Sequence, residues 1–98
     1  MARDQVELSV ETAWEELTNA DADVVTFQAI AGDIFIRVTT NDTAPAAGLT
    51  GRKYQSGTGE SNANVADLAL SLGATGNRIW AKAASGSAAT VYIDHADA

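Results

Sequence analysis

The chain has 98 residues, 46% of them hydrophobic and 19% charged, a balance that suits one compact folded domain over residues 1–98 and not a disordered segment. Thirteen acidic against six basic residues give a formal charge of −7, which repels phosphate backbones and argues against nucleic acid as a partner. The chain has no cysteine, so disulfides, zinc–thiolate sites and cysteine nucleophiles are excluded together.

Residues 1–11 mix Arg3, Asp4, Glu7 and Glu11 with single apolar residues, and no export signal is expected there. No apolar run approaches the roughly 20 residues of a membrane span, and a soluble protein without membrane contact is expected. Within this stretch Val6, Leu8 and Val10 alternate as a strand does. Thr12 could instead cap a short helix through Glu15, Glu16 and Leu17; the strand is preferred, with residues 1–11 as an extended N-terminal arm.

Val24 to Ile30 is rich in β-branched and aromatic residues, and Ile34, Ile36 and Val38 alternate with Phe35, Arg37 and Thr39. Ala31-Gly32-Asp33 supplies a tight turn between them, which predicts an antiparallel hairpin. The segment from Asn41 to Asn64 holds Pro45, four glycines and many small polar residues. It predicts a long central surface loop, with a short edge strand at Arg52 to Gln55.

Val65 to Leu72 sets Leu68 and Leu72 at helical spacing ahead of Gly73, predicting one short helix. Arg78 to Ala83 and Thr90 to Asp94 flank Ser85-Gly86-Ser87 and predict a second hairpin, with Trp80, Lys82 and Tyr92 on its outer faces. Together these elements predict an all-β fold, a small antiparallel β-sandwich or barrel. Its core would join Val25, Phe27, Ile34, Ile36 and Val38 to Ile79, Val91 and Ile93, with Trp14 closing one end.

Catalytic parts are scarce. His95 is the sole histidine and lies near the C-terminus, where an exposed residue is expected. Asp21, Asp23, Asp33 and Asp42 flank turns in which oxygen ligands could hold calcium. They lack EF-hand spacing, and aspartate in turns ordinarily bonds the neighbouring backbone. Gly57-Thr58-Gly59-Glu60 has the look of a phosphate-loop fragment without its lysine and reads as a turn. No enzyme activity, cofactor or metal is expected. The anchor candidates for a partner are Phe35, Arg37, Arg52, Tyr54, Trp80 and Tyr92, because arginine and aromatic residues concentrate at interface centres and exposed rings also suit sugar stacking.

Trp14-x-x-Leu17-Thr18, Val25-Thr26-Phe27-Gln28, Ile36-Arg37-Val38-Thr39-Thr40 with Ala44-Pro45, Gly57-x-Gly59-Glu60 and Arg78-Ile79-Trp80-Ala81 follow one another along the chain. This order resembles a group of short virion proteins of tailed bacteriophages and prophages, over most of the length; the alanine-rich turn from Ala83 to Ala89 departs from it. The resemblance implies a structural protein of the virion, made in the bacterial cytoplasm. It would bind the major capsid protein, or another virion protein, from outside as a decoration or cement protein, as a dimer or trimer. A tail or fibre component that binds carbohydrate is the alternative it leaves open.

Overall fold

The computed structural model describes residues 3–69, 71, 72 and 77–97. Among the described residues eight strands are formed: β1 (Val6–Val10), β2 (Glu15–Glu16), β3 (Ala22–Ala31), β4 (Ile34–Thr39), β5 (Arg52–Tyr54), β6 (Gly59–Asn64), β7 (Arg78–Ala83) and β8 (Ala89–Asp97). They make two four-stranded antiparallel sheets, sheet A in the order β1-β8-β3-β6 and sheet B in the order β2-β7-β4-β5. The fold is all-β, as the alternating patterns require. No described helix is long and apolar enough to cross a membrane.

Alternation decides what is buried. Val25, Phe27 and Ala29 of β3 and Val91 and Ile93 of β8 turn inward from sheet A. They meet Ile34 and Ile36 of β4 and Ile79, Ala81 and Ala83 of β7 from sheet B, and Val10, Leu17, Tyr54 and Val65 complete the cluster. At about 1.5 to 3 kcal/mol for each large apolar side chain withdrawn from water, this seam is the main source of stability.

Neither predicted hairpin forms. After Gly32 the chain crosses from sheet A to sheet B, so β3 pairs with β8 and β6 while β4 pairs with β7 and β5. The link from β7 to β8 crosses back in the same way. The reason lies in parity. A tight hairpin would set Ala29 opposite Ile36 and Phe27 opposite Val38, and an arch between sheets turns those same residues into the same core. The two arches abut: Ala84 N–H donates to Asp33 O at 2.9 Å, and Gly32, at φ 85°, leaves just enough room for Ala89.

Three further expectations are corrected. Val6–Val10 is an edge strand paired with β8 and not a free arm, and His95 N–H donates to Arg3 O to continue that pairing; Met1 and Ala2 lie outside the described residues. The central loop is shorter than predicted, since Arg52–Tyr54 forms the expected edge strand and Gly59–Asn64 adds β6 beyond it. The expected helix contracts to a 3-10 turn at Val65–Leu68 with a further 3-10 pair at 71 and 72, and Leu70 and Gly73 lie outside the described residues.

Edge strand β6 approaches β3 so closely that a side chain at Gly59 would run into the Phe27 carbonyl oxygen, whereas Gly48 faces open space. Gly59→Ala should therefore cost roughly 1 to 3 kcal/mol through overpacking. At about 4 to 8 °C per kcal/mol this is a clear drop in the thermal midpoint. Gly48→Ala should leave that midpoint unchanged in the same calorimetric comparison.

Candidate functional site

The outer face of sheet B gathers most of the residues singled out in the sequence. Cross-strand register aligns Lys53, Phe35 and Lys82 in one row and Arg37, Trp80 and Glu16 in the next. Inward alternation on β4 and β7 forces these side chains outward, so an apolar core and a cationic, aromatic outer face come from one pattern.

A strap formed by residues 41–50 lies on this face and is pinned by three side chains. Trp14 Nε1–H donates to Ala46 O at 3.1 Å, Lys82 Nζ to Ala47 O at 3.0 Å, and Arg37 Nε–H to Thr50 O at 2.7 Å. The Lys82 ammonium also sits 4.9 Å from the centroid of the Trp14 ring. Lys82 is only 8% exposed and pairs with no carboxylate among the described residues, so the carbonyl and the ring face together replace its water. Trp14 thus fixes the strap and does not close an end of the core.

The six anchor candidates divide by burial. Arg37 and Arg52 are exposed and Phe35 is half-buried, all at the β4–β5 corner. Trp80 is 7% exposed, its indole N–H bonded to Thr39 Oγ1 at 2.8 Å, so it supports the face without presenting a ring to solvent. Tyr54 is also buried, edge-on to Phe27 with ring centroids 5.0 Å apart. Tyr92 lies on the opposite side of the molecule, half-buried on the outer face of sheet A.

At the corner, Arg52 pairs with Glu60 at 3.4 Å, Lys53 with Asp33 at 3.9 Å, and Arg37 with no carboxylate among the described residues. Glu60 accepts from the Tyr54 hydroxyl at 3.0 Å and so stitches the edges of the two sheets together. Burial, then the hydrogen bond to Glu60, push the Tyr54 phenol up to about 12. The nearby Arg52 guanidinium partly offsets that rise.

Sequence reasoning missed the burial of His95, Lys82 and Thr18. His95 is 5% exposed, and its Nε2 accepts from the Arg3 N–H at 3.1 Å, so the residue expected to be exposed is part of the β1–β8 seam. Thr18 Oγ1 accepts from the Ile79 N–H and donates to Glu16 Oε2. Arg78 bridges Asp21 and Glu16 at 2.8 and 2.9 Å. Two of the four turn aspartates act within the fold: Asp21 holds Arg78, and Asp33 accepts from the Ser56 N–H. Among the described residues no group of three or more acidic or histidine side chains is placed to hold a metal ion.

No protein family model, no curated protein and no solved structure matches this chain.

Two outcomes test this geometry. Lys82→Met should keep the packed stem but release the strap, at a cost of about 1.5 kcal/mol for a charged hydrogen bond. Amide exchange at Leu49, whose N–H donates to Ala46 O, should then accelerate about tenfold. For Tyr54, the phenol is harder to ionise in the folded chain than at its ordinary value of 10.0, so this residue's contribution to stability is complete below pH 10 and is lost as pH rises toward about 12. Ultraviolet titration should show a late phenolate step near 12 that Tyr54→Phe abolishes and Glu60→Gln moves down.

Proposed function

We propose that this chain is a non-catalytic adhesion protein that decorates a bacteriophage head, seating the β4–β5 corner of sheet B on an acidic surface of the capsid protein. The observation that carries the reading is Arg37. In a chain of net charge −7 it is an exposed guanidinium without a carboxylate partner among the described residues, held in place by Thr50 O, with Phe35 and Lys53 on the same outer face. Acidic residues elsewhere repel an acidic shell, so the basic corner orients the approach. Arginine beside an aromatic side chain is the composition found at the energetic centre of interfaces.

The strap supports the same reading. Three hydrogen bonds from β4, β7 and Trp14 fix its carbonyls, and Leu49 projects from it 40% exposed, a preformed apolar contact beside the cationic corner. Little ordering would remain to be done on binding. Copies of one small protein on a repeating shell, alone or as dimers or trimers, need only a modest interface each, because many act together.

The alternative, a carbohydrate-binding tail or fibre component, relied on Trp80 and Tyr92 together; with Trp80 buried, only Tyr92 still favours it.

The test is assembly on particles. Wild-type protein should copurify with heads in high copy number, and heads lacking it should break sooner under heat or osmotic shock. Arg37→Glu combined with Lys53→Glu should lower occupancy on the order of tenfold, the loss of about 1.4 kcal/mol expected for a charged contact. Bare heads that withstand both stresses unchanged would contradict the proposal.

A further inference from the structure

On the outer face of sheet A, opposite the strap, register sets Glu7, Tyr92, Gln28 and Gly59 side by side across β1, β8, β3 and β6. Three positions in that row carry side chains and the fourth does not. Gly59 is required by its close contact with the β3 backbone, and next to it, beside Gln28 and Tyr92, the sheet surface is recessed. A shallow trough of about 270 Å³ lies there, lined by Thr26, Phe27, Gln28, Gly57, Gly59, Ser61 and Tyr92.

Its chemistry is specific. No residue lining it is charged, so neither a phosphate nor a cation finds a counter-ion there. The half-buried Tyr92 supplies the one accessible ring, since Phe27 is only 1% exposed with its side chain in the core, and the Tyr92 hydroxyl bonds to no described residue. Gln28 Nε2–H donates to Gly57 O at 3.0 Å, which fixes the amide and leaves its carbonyl oxygen to accept from outside. Thr26 Oγ1 accepts from the Asn62 N–H at 2.9 Å, which leaves its own O–H to donate. The bulge in β6, where Ser61 and Asn62 together oppose Thr26 and Asn62 takes φ 52°, is what turns the Asn62 N–H onto the Thr26 hydroxyl. Ser61 adds a second exposed hydroxyl.

An uncharged recess with one ring and several fixed, unmatched donors and acceptors fits a ligand that is neutral, dense in hydroxyl groups and apolar on one face. We propose that the trough binds one unit of a neutral saccharide, the apolar face of the sugar against Tyr92 and its hydroxyls bonded to Gln28, Thr26 and Ser61. Aromatic surfaces give such ligands area at low entropic cost, and the polar groups fix their orientation. The trough is slightly smaller than the roughly 300 to 1,000 Å³ of ordinary ligand pockets, which suits a single ring of a longer surface chain. Binding by one copy is weak, and display of many copies multiplies it. This site lies on the face opposite the basic corner and does not depend on capsid docking.

The measurement is retention of the full chain on an array of neutral hexose, deoxyhexose and N-acetylhexosamine oligosaccharides, with sialylated and sulfated chains printed beside them. Wild type should be retained on neutral sugars and less on the anionic ones. Ser61→Trp, at an exposed position that fills the trough without touching the core, should lower retention by at least about tenfold, the factor for losing one good polar or stacking contact. Gln28→Ala should weaken it also, and Arg37→Glu should leave it unchanged, which separates this site from the docking face. In solution, titration of a retained oligosaccharide should shift the backbone amide resonances of Gln28 and Tyr92. The proposal is overturned if no saccharide is retained, if anionic chains are preferred, or if Ser61→Trp binds as wild type does.

Discussion

The apolar seam between the strand pairs β3–β8 and β4–β7 is the constraint on which everything else rests. Phe27, Val91 and Ile93 from one sheet meet Ile34, Ile36 and Ile79 from the other, all of them nearly or fully inaccessible. Because side chains alternate along a strand, sending these residues inward sends Phe35, Arg37, Trp80 and Lys82 to one outside face and Thr26, Gln28 and Tyr92 to the other. Both surfaces discussed above are the reverse side of that packing. A change of register by one residue would erase the core and both faces at once.

The flank where β5 and β6 lie across from each other shows how a small two-sheet body closes its side. Tyr54 fills the gap edge-on to Phe27 and reaches Glu60, and Glu60 in turn holds Arg52, whose guanidinium lies 5.3 Å from the Tyr54 ring centroid. An apolar plug with a polar rim lets the edge face water without exposing the core. The same economy appears at the strap, where a buried ammonium uses a backbone carbonyl and an indole face in place of a carboxylate.

How much of this is legible in the residues follows from what patterns can and cannot encode. Period-two alternation at Val24 to Ile30, Ile34 to Thr39 and Arg78 to Ala83 fixes strand identity and the inward sets, and the edge strand at Arg52 is also visible. Alternation is silent on connectivity, since a hairpin and an arch bury the same residues from the same parity; the two arches could not be read for that reason. Strand β6 is hidden because Gly59-Glu-Ser-Asn-Ala-Asn has no apolar alternation, its half-buried positions being Glu60, anchored through its carboxylate, and the small Ala63. The burial of His95, Trp80 and Lys82 depends on partners far along the chain, Arg3, Thr39 and Ala47, and no local signal announces such contacts. Of the candidate site, the β4–β5 corner and Tyr92 were legible as outward positions, whereas the trough beside Tyr92 joins residues of β3, β6 and β8 and needed the sheet register to appear.

Both outer faces depend on the crossing of the chain between sheets at Gly32 and again between β7 and β8. Backbone proton contacts measured by nuclear Overhauser spectroscopy address this directly. The structure predicts cross-strand connectivities between Phe27 and Ile93 and between Ile36 and Ala81. Backbone contacts joining Ala29 to Ile36 and Ala81 to Val91 instead would mean two hairpins, and would contradict the arrangement of both outer faces.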